Sequence, residues 1–254
     1  KFESREIPVF PEQIENVTKA IEKNQLVIGP HTEELSDSLS DLFNYKYAVL
    51  TSNGFSSLFS LLKVLNEEFS ELVTIPTSTC FAFINASKAA DFSISFIDSR
   101  PDKLDLDMNN IDNELEGPKI YLCPNHFGSV TSVNQNILPS KGFILEDAAQ
   151  SFLSRKNISS DSDALVVSFY PTKISNGING GAILTNNLDL YKLISILINY
   201  NDQYHAEDMV RYNLGMNNLN AAFALGTLQN LEYLESSLMK NYQTLKEICE
   251  SLSF

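Results

Sequence analysis

Apolar residues recur along this chain in two rhythms, one helical and one strand-like. Ile14, Val17 and Ile21 mark one face of a helix over residues 12–23. Gly29-Pro30 breaks it, and Leu35, Leu39 and Leu42 place a second amphipathic helix over residues 32–43. Tyr47 to Leu50 reads as a strand, and Thr51-Ser52-Asn53-Gly54 turns into a helix from about Phe55 to Asn66. Strand-like segments follow at Leu72–Ile75, Phe92–Ile97, Lys119–Cys123, Phe143–Leu145, Ala164–Ser168 and Ala182–Thr185. Helices are expected at Thr79–Ala89 and Leu188–Asn199. From Leu219 to about Ser251 the pattern predicts one long helix, with Ala221, Ala222, Leu225, Leu228, Leu231 and Leu234 in a continuous apolar stripe.

Short strands alternating with helices imply an α/β domain, in which helices cover both faces of a largely parallel sheet. Ligands in such folds sit beyond the carboxyl ends of the strands. Asn53, Asp147 and the loop around Lys173 all follow strands, so one pocket can gather them.

Composition narrows the partners. Of 254 residues, 43% are hydrophobic and 20% charged, which suits a globular protein with a substantial core. A net charge of -14 argues against nucleic acid and anionic membrane, both of which need clustered Lys and Arg. Cys80, Cys123 and Cys249 are far apart with no C-x-x-C pair, so reduced thiols in a cytoplasmic protein are expected, and neither a disulfide framework nor a metal site. No apolar run reaches the length of a membrane span, and the start lacks an apolar signal core. Lys1 stands where an initiator Met would, as expected of a trimmed start.

The chemistry centres on Lys173, in Ser168-Phe169-Tyr170-Pro171-Thr172-Lys173, and Gly177, Gly180 and Gly181 after it are expected to allow close approach to a flat ligand. A lysine amine turns nucleophilic when desolvation or a nearby cation lowers its pKa. A lysine, a hydroxyl five residues before it and an upstream acid are what a pyridoxal phosphate (PLP) site needs. Lys173 forms the Schiff base, Ser168 binds phosphate, and Asp147 keeps the pyridine nitrogen protonated. The competing readings are a surface lysine and, for Asp147, a helix N-cap. Glu146 points differently at the strand end and is left out. Gln150 is either a hydrogen-bond partner of the ring hydroxyl or a solvated helix residue. Asn53-Gly54-Phe55-Ser56-Ser57 brings free N–H groups and a helix dipole, which suit a phosphate, or it is only a turn. Cys80 or Phe81 packs on the cofactor ring, or in the core. His126 reads as a structural histidine.

The order of these pieces resembles the DegT/DnrJ/StrS family of sugar aminotransferases. Glu146-Asp147-Ala148-Ala149-Gln150 matches the family's E-D-A-A-Q/H motif, Ser168 to Lys173 its S-F-x-P-T-K, and Gly180-Gly181-Ala182 its G-G-A. Residues 7–58 are similar to its opening, with Asn53-Gly54 at the Ser/Asn-Gly-Thr turn. Tyr212-Asn213 and Asn218 to Ala222 resemble the segment that reaches into a neighbouring subunit.

The resemblance implies PLP fold type I, with a mixed, mostly parallel seven-stranded sheet. Lys173 and Asp147 would be catalytic. Asn53, Gly54, Phe55, Ser56, Cys80, Gln150 and Ser168 would join them around the cofactor, and Asn213 would come from the partner of a homodimer. It implies transfer of an amino group from glutamate to a keto group of a nucleotide-linked sugar, as in polysaccharide biosynthesis. Residues 1–235 would be the PLP-binding large domain, and 236–254 the start of a helix leading toward a small domain absent from this chain. Phe55 replaces a common Thr, Cys80 a stacking aromatic and Gly215 an arginine. The rival readings are a sugar dehydratase, whose members carry histidine in place of the lysine, and a non-catalytic homologue that binds or assembles.

Overall fold

The computed structural model describes residues 8–66, 69, 72–99, 104, 119–131, 142–158, 162–200 and 210–252. Seven strands form one sheet: β1 (Tyr47–Thr51), β2 (Leu72–Pro76), β3 (Ser93–Ile97), β4 (Ile120–Pro124), β5 (Phe143–Asp147), β6 (Ala164–Ser168) and β7 (Gly181–Thr185). Their spatial order is β1-β7-β6-β5-β4-β2-β3. Strands β3, β2, β4, β5 and β6 run parallel, whereas β7 is antiparallel to both β6 and β1. The return from β6 to β7 is made by residues 169–180, with no α-helix to carry the chain back for a parallel crossover. The Lys173 loop is that return.

The helices are α1 (Pro11–Glu22), α2 (Pro30–Phe43), α3 (Gly54–Leu65), α4 (Phe81–Ala89), α5 (Leu188–Ile198), α6 (Asn218–Leu228) and α7 (Leu231–Ser251). Alternation along each strand divides the core into two layers. Leu145, Val166 and Ile183 meet Leu61 and Leu62 of α3, Phe83 of α4 and Ile194 of α5. On the other face Leu165, Val167, Ala182 and Leu184 meet Leu35 and Leu39 of α2, Ala221 and Leu225 of α6, and Leu231 and Leu234 of α7.

Two helical expectations are corrected. Helix α1 does not bury the face marked by Ile14 and Ile21, which are 61% and 55% exposed; Gln13 and Ala20 are buried instead. Gln13 lies so close to Gly226 that a Cβ there would stand 2.5 Å from its backbone. Its amide nitrogen donates to Thr227 Oγ1 at 2.6 Å, and its oxygen accepts from Phe10 N at 2.7 Å. Backbone approach and paired polar atoms thus turned the helix against its hydrophobic pattern. The expected single helix from Leu219 is two, α6 and α7, broken at Gln229-Asn230. There Asn230 donates to the Gly226 carbonyl at 2.9 Å and to Glu12 at 3.0 Å. Its side chain serves the end of one helix and the start of α1. The apolar stripe is covered only as far as Leu234; Leu238, Met239, Tyr242, Leu245 and Ile248 are all more than 40% exposed.

Candidate active site

The carboxyl ends of β5 and β6, together with the start of α3, wall a cavity of about 480 Å³. That volume is ordinary for a cofactor site, typically about 300–1,000 Å³. Asn53, Gly54, Phe55, Cys80, Asp147, Gln150, Ser168 and Lys173 all line it. Eight of the ten residues expected at the site are therefore in one place.

Helix α3 begins there for local reasons. Asn53 is extended and caps it, its Oδ1 accepting from Ser56 N at 2.8 Å. The amides of Gly54 and Phe55 belong to the first turn and have no partner within the helix. A Cβ at Gly54 would come within 3.1 Å of the Ser168 side chain, so glycine lets the helix start pack closely against the end of β6. Gly181 does the same for β7, where a Cβ would meet Ser57 Oγ at 2.5 Å and the Asn53 carbonyl at 2.7 Å.

Asp147 accepts from Ala149 N at 2.9 Å through Oδ1. Burial pushes its pKa up to about 6, against the opposing pull of the Ala149 N–H and the Lys173 charge. Lys173 sits in a turn of the return loop, its N–H donating to the Tyr170 carbonyl at 2.8 Å and its carbonyl accepting from Asn176 at 3.1 Å. The loop base is pinned where Ser175 Oγ donates to the Ser168 carbonyl at 2.7 Å. Gln150 accepts from Phe127 N at 3.4 Å through Oε1, which leaves its NH2 as the free end.

Two expectations change in detail, those for Ser56 and for the glycines after Lys173. Ser56 is buried, and its hydroxyl is shared with Asn53 Oδ1 at 3.1 Å and Ser52 Oγ at 2.9 Å. It stands behind the cavity wall rather than in it. Asn213 lies in a separate depression of about 770 Å³, beside Val27, Asn199 and Gly215. Gly177 and Gly180 were expected to admit a flat ligand, but they serve packing. A Cβ on Gly177 would meet Phe169 at 2.9 Å, and one on Gly180 would meet Met216 at 2.7 Å. Of Cys80 and Phe81, Cys80 lines the cavity while Phe81 is 76% exposed.

Sequence reasoning missed Phe83, Tyr170, Thr172 and Asn179 as wall residues. Tyr170 and Thr172 lay inside the lysine motif and could have been named from it. His126 is outside the cavity lining, and burial lowers its pKa against a backbone bond at Ser78.

These residues suit a phosphorylated, flat, cationic ligand. Two free amides at a helix start and the Ser168 hydroxyl suit the phosphate. Asp147, raised by burial despite the pull of Lys173, suits a protonated ring nitrogen. Lys173 suits an aldehyde.

Residues 10–253 match the DegT/DnrJ/EryC1/StrS aminotransferase family. GDP-perosamine synthase of Escherichia coli O157:H7 is 25% identical over 214 residues, which are 80% of this chain and 59% of that enzyme. The chain thus spans about 59% of the length of that curated relative. Among solved structures, Helicobacter pylori PseC, an aminotransferase of pseudaminic acid biosynthesis, superposes with a TM-score of 0.79 at 18% identity, over 92% of this chain and 66% of that one. E. coli GDP-4-keto-6-deoxy-D-mannose-3-dehydratase with bound hydrated PLP gives 0.81 at 14% identity, over 97% and 73%. The architecture is PLP fold type I. The chain belongs to the DegT/DnrJ/EryC1/StrS aminotransferase family.

Proposed function

We propose that this chain is the cofactor-binding part of a nucleotide-sugar aminotransferase, moving an amino group from glutamate to a keto group of a nucleotide-linked sugar. The observation that carries this reading is the convergence of Lys173 and Asp147 on one cavity with the Gly54–Ser168 contact at its side. When bound, PLP supplies an electron sink and a temporary carrier for the amino group.

The chain's own residues do the rest. The Gly54 and Phe55 amides and the Ser168 hydroxyl hold the phosphate. Asp147 keeps a proton on the ring nitrogen; a cation at that position favours its carboxylate form and reverses the effect of burial. Gln150 donates from its free NH2 to the ring oxygen. Lys173 would hold the cofactor through its Nζ, and the same amine would serve as the general base that moves a proton. Phe55 and Cys80 pack beside the ring. Asn213 serves the cavity of a second copy, so the working form is a homodimer, in the cytoplasm. The PLP-binding unit is residues 1–235, and the part of α7 beyond it leads toward a smaller domain. The bare surface of α7 beyond Leu234 supports that division.

A sugar dehydratase is the second reading, since one fold neighbour is such an enzyme. Lys173 weighs against it, because a lysine amine returns the proton that transamination needs. The test is spectroscopic. Protein incubated with PLP shows a visible band, and glutamate shifts it to the amine form. A colourless protein, or a band that no amino donor changes, overturns the transaminase reading and favours a non-catalytic binding protein.

A further inference from the structure

We propose that Glu146 is a positioning residue, which ties the exit of β4 to the end of β5 and so fixes the backbone that carries Asp147 and Gln150. The inference rests on the reading of those two residues as cofactor contacts. Glu146 itself faces away from the cavity, toward the opposite layer of the core, and is 1% exposed. Its strand neighbours Ile144 and Leu145 are apolar and fully buried, so an apolar side chain fits this sheet. A buried carboxyl is costly unless its hydrogen bonds do something an apolar group cannot.

What it does is hold Asn125. Glu146 Oε1 accepts from Asn125 Nδ2 at 2.7 Å. Asn125 is 2% exposed, and its other groups are also engaged. Its N–H donates to the Asp147 carbonyl at 2.9 Å, and its Oδ1 accepts from Thr131 N at 2.7 Å. Thr131 in turn donates to the Pro124 carbonyl at 3.2 Å. Between Asn125 and Thr131 runs the turn His126–Gly128, with Phe127 in the left-handed region at φ 51°. That conformation is strained for a bulky residue and persists only where surrounding bonds impose it. Here Phe127 N and Gly128 N both donate to Gln150, at 3.4 and 3.0 Å, and Ser154 Oγ donates to the Gly128 carbonyl at 2.7 Å. Truncating Glu146 leaves the Asn125 amide buried without its acceptor, and the turn loses the anchor that sets Gln150.

Glu146 Oε2 has no hydrogen-bond partner among the described residues. Burial raises the pKa of Glu146 to about 7, over the opposition of Asn125 and Ser162, and the Asp147 charge adds to the rise. The groups that act on Glu146 are Asn125, Asp147 and Ser162, whose hydroxyl also meets the Tyr45 phenol at 2.6 Å. Folded Glu146 holds its proton to higher pH than the unfolded chain does, so its stability advantage is lost as pH rises through about 7. His126, lowered by burial, gives a slope of opposite sign below about pH 6.5.

The experiment compares wild type, Glu146→Gln and Glu146→Ala from pH 6 to 8.5, by titrating the visible band with PLP and by melting the cofactor-free protein. Glu146→Gln should match wild type within about twofold at pH 6, and Glu146→Ala should bind roughly tenfold more weakly throughout. The melting temperature of wild type should fall over this range, and that of Glu146→Gln should fall less. Wild-type affinity in Glu146→Ala, or a loss in Glu146→Gln as large as that in Glu146→Ala, overturns the proposal. Wild type that binds no PLP defeats the proposed function instead, and the cofactor-free melts still decide the clamp.

Discussion

The cavity end of the sheet and the helix pair α6–α7 contrast sharply in how their side chains are matched. At the cavity, Asn53, Ser56, Ser57, Asp147 and Ser175 are tied into hydrogen bonds before any ligand arrives. What faces inward is a small set of groups suited to a bound molecule. Along α7 the pattern is equally regular, but nothing in the described chain meets it. Leu231 and Leu234 are buried, and the same stripe then runs into solvent through Leu238, Met239, Tyr242 and Leu245. Amphipathic spacing shows that a face is made for burial. It does not say what buries it.

The comparison breaks most easily at the cavity. Asp147→Ala should lower transaminase turnover roughly 100-fold or more, the scale of removing one preorganised charged partner, while the melting temperature changes little. If turnover survives, the carboxylate is only a cap for Ala149.

At the helix pair, Leu234→Ala should destabilise the protein by roughly 2–5 kcal/mol, read by denaturant melts. A neutral result would place the last packed turn of α7 elsewhere.

A pH series sharpens the contrast from the cavity side. Asp147 holds its proton to about pH 6 when folded, above its ordinary value of 3.8, so the folded state binds more protons between those values. Stability of the cofactor-free protein should therefore fall as pH rises from 4 to 6, and Asp147→Asn should flatten that part of the curve. PLP should remove the same slope, because a ring cation favours the ionised carboxylate.

Ser168→Ala should weaken PLP binding about tenfold, the loss of one hydrogen bond to a charged phosphate, measured by titrating the visible band. Smallest of all, Leu245→Ser on the bare stretch of α7 should change stability by less than about 0.5 kcal/mol. A larger loss would mean that the stripe is covered in solution.

Much of the site was legible because its chemistry is local. Asn53 announces the start of α3, Asp147 ends a strand whose apolar run is plain in the sequence, and Lys173 lies in the loop after another. The seven strands and their mostly parallel order followed from the same alternation. What the sequence hid depends on partners distant along the chain. Gln13 displaced Ile14 from the core because Gly226 and Thr227, more than two hundred residues later, accept its backbone and its amide. Asn230 split the last helix because Gly226 and Glu12 receive its side chain. Strand alternation turned Glu146 away from the cavity, but only the folded chain shows that it meets Asn125.

The account depends most on Lys173 as the residue that bonds the cofactor. Protein loaded with PLP, reduced with borohydride, digested and mapped by mass spectrometry reads this directly. The pyridoxyl mass is expected on the peptide containing Lys173 and should vanish in Lys173→Ala. Label on another lysine, or on none, would contradict the account.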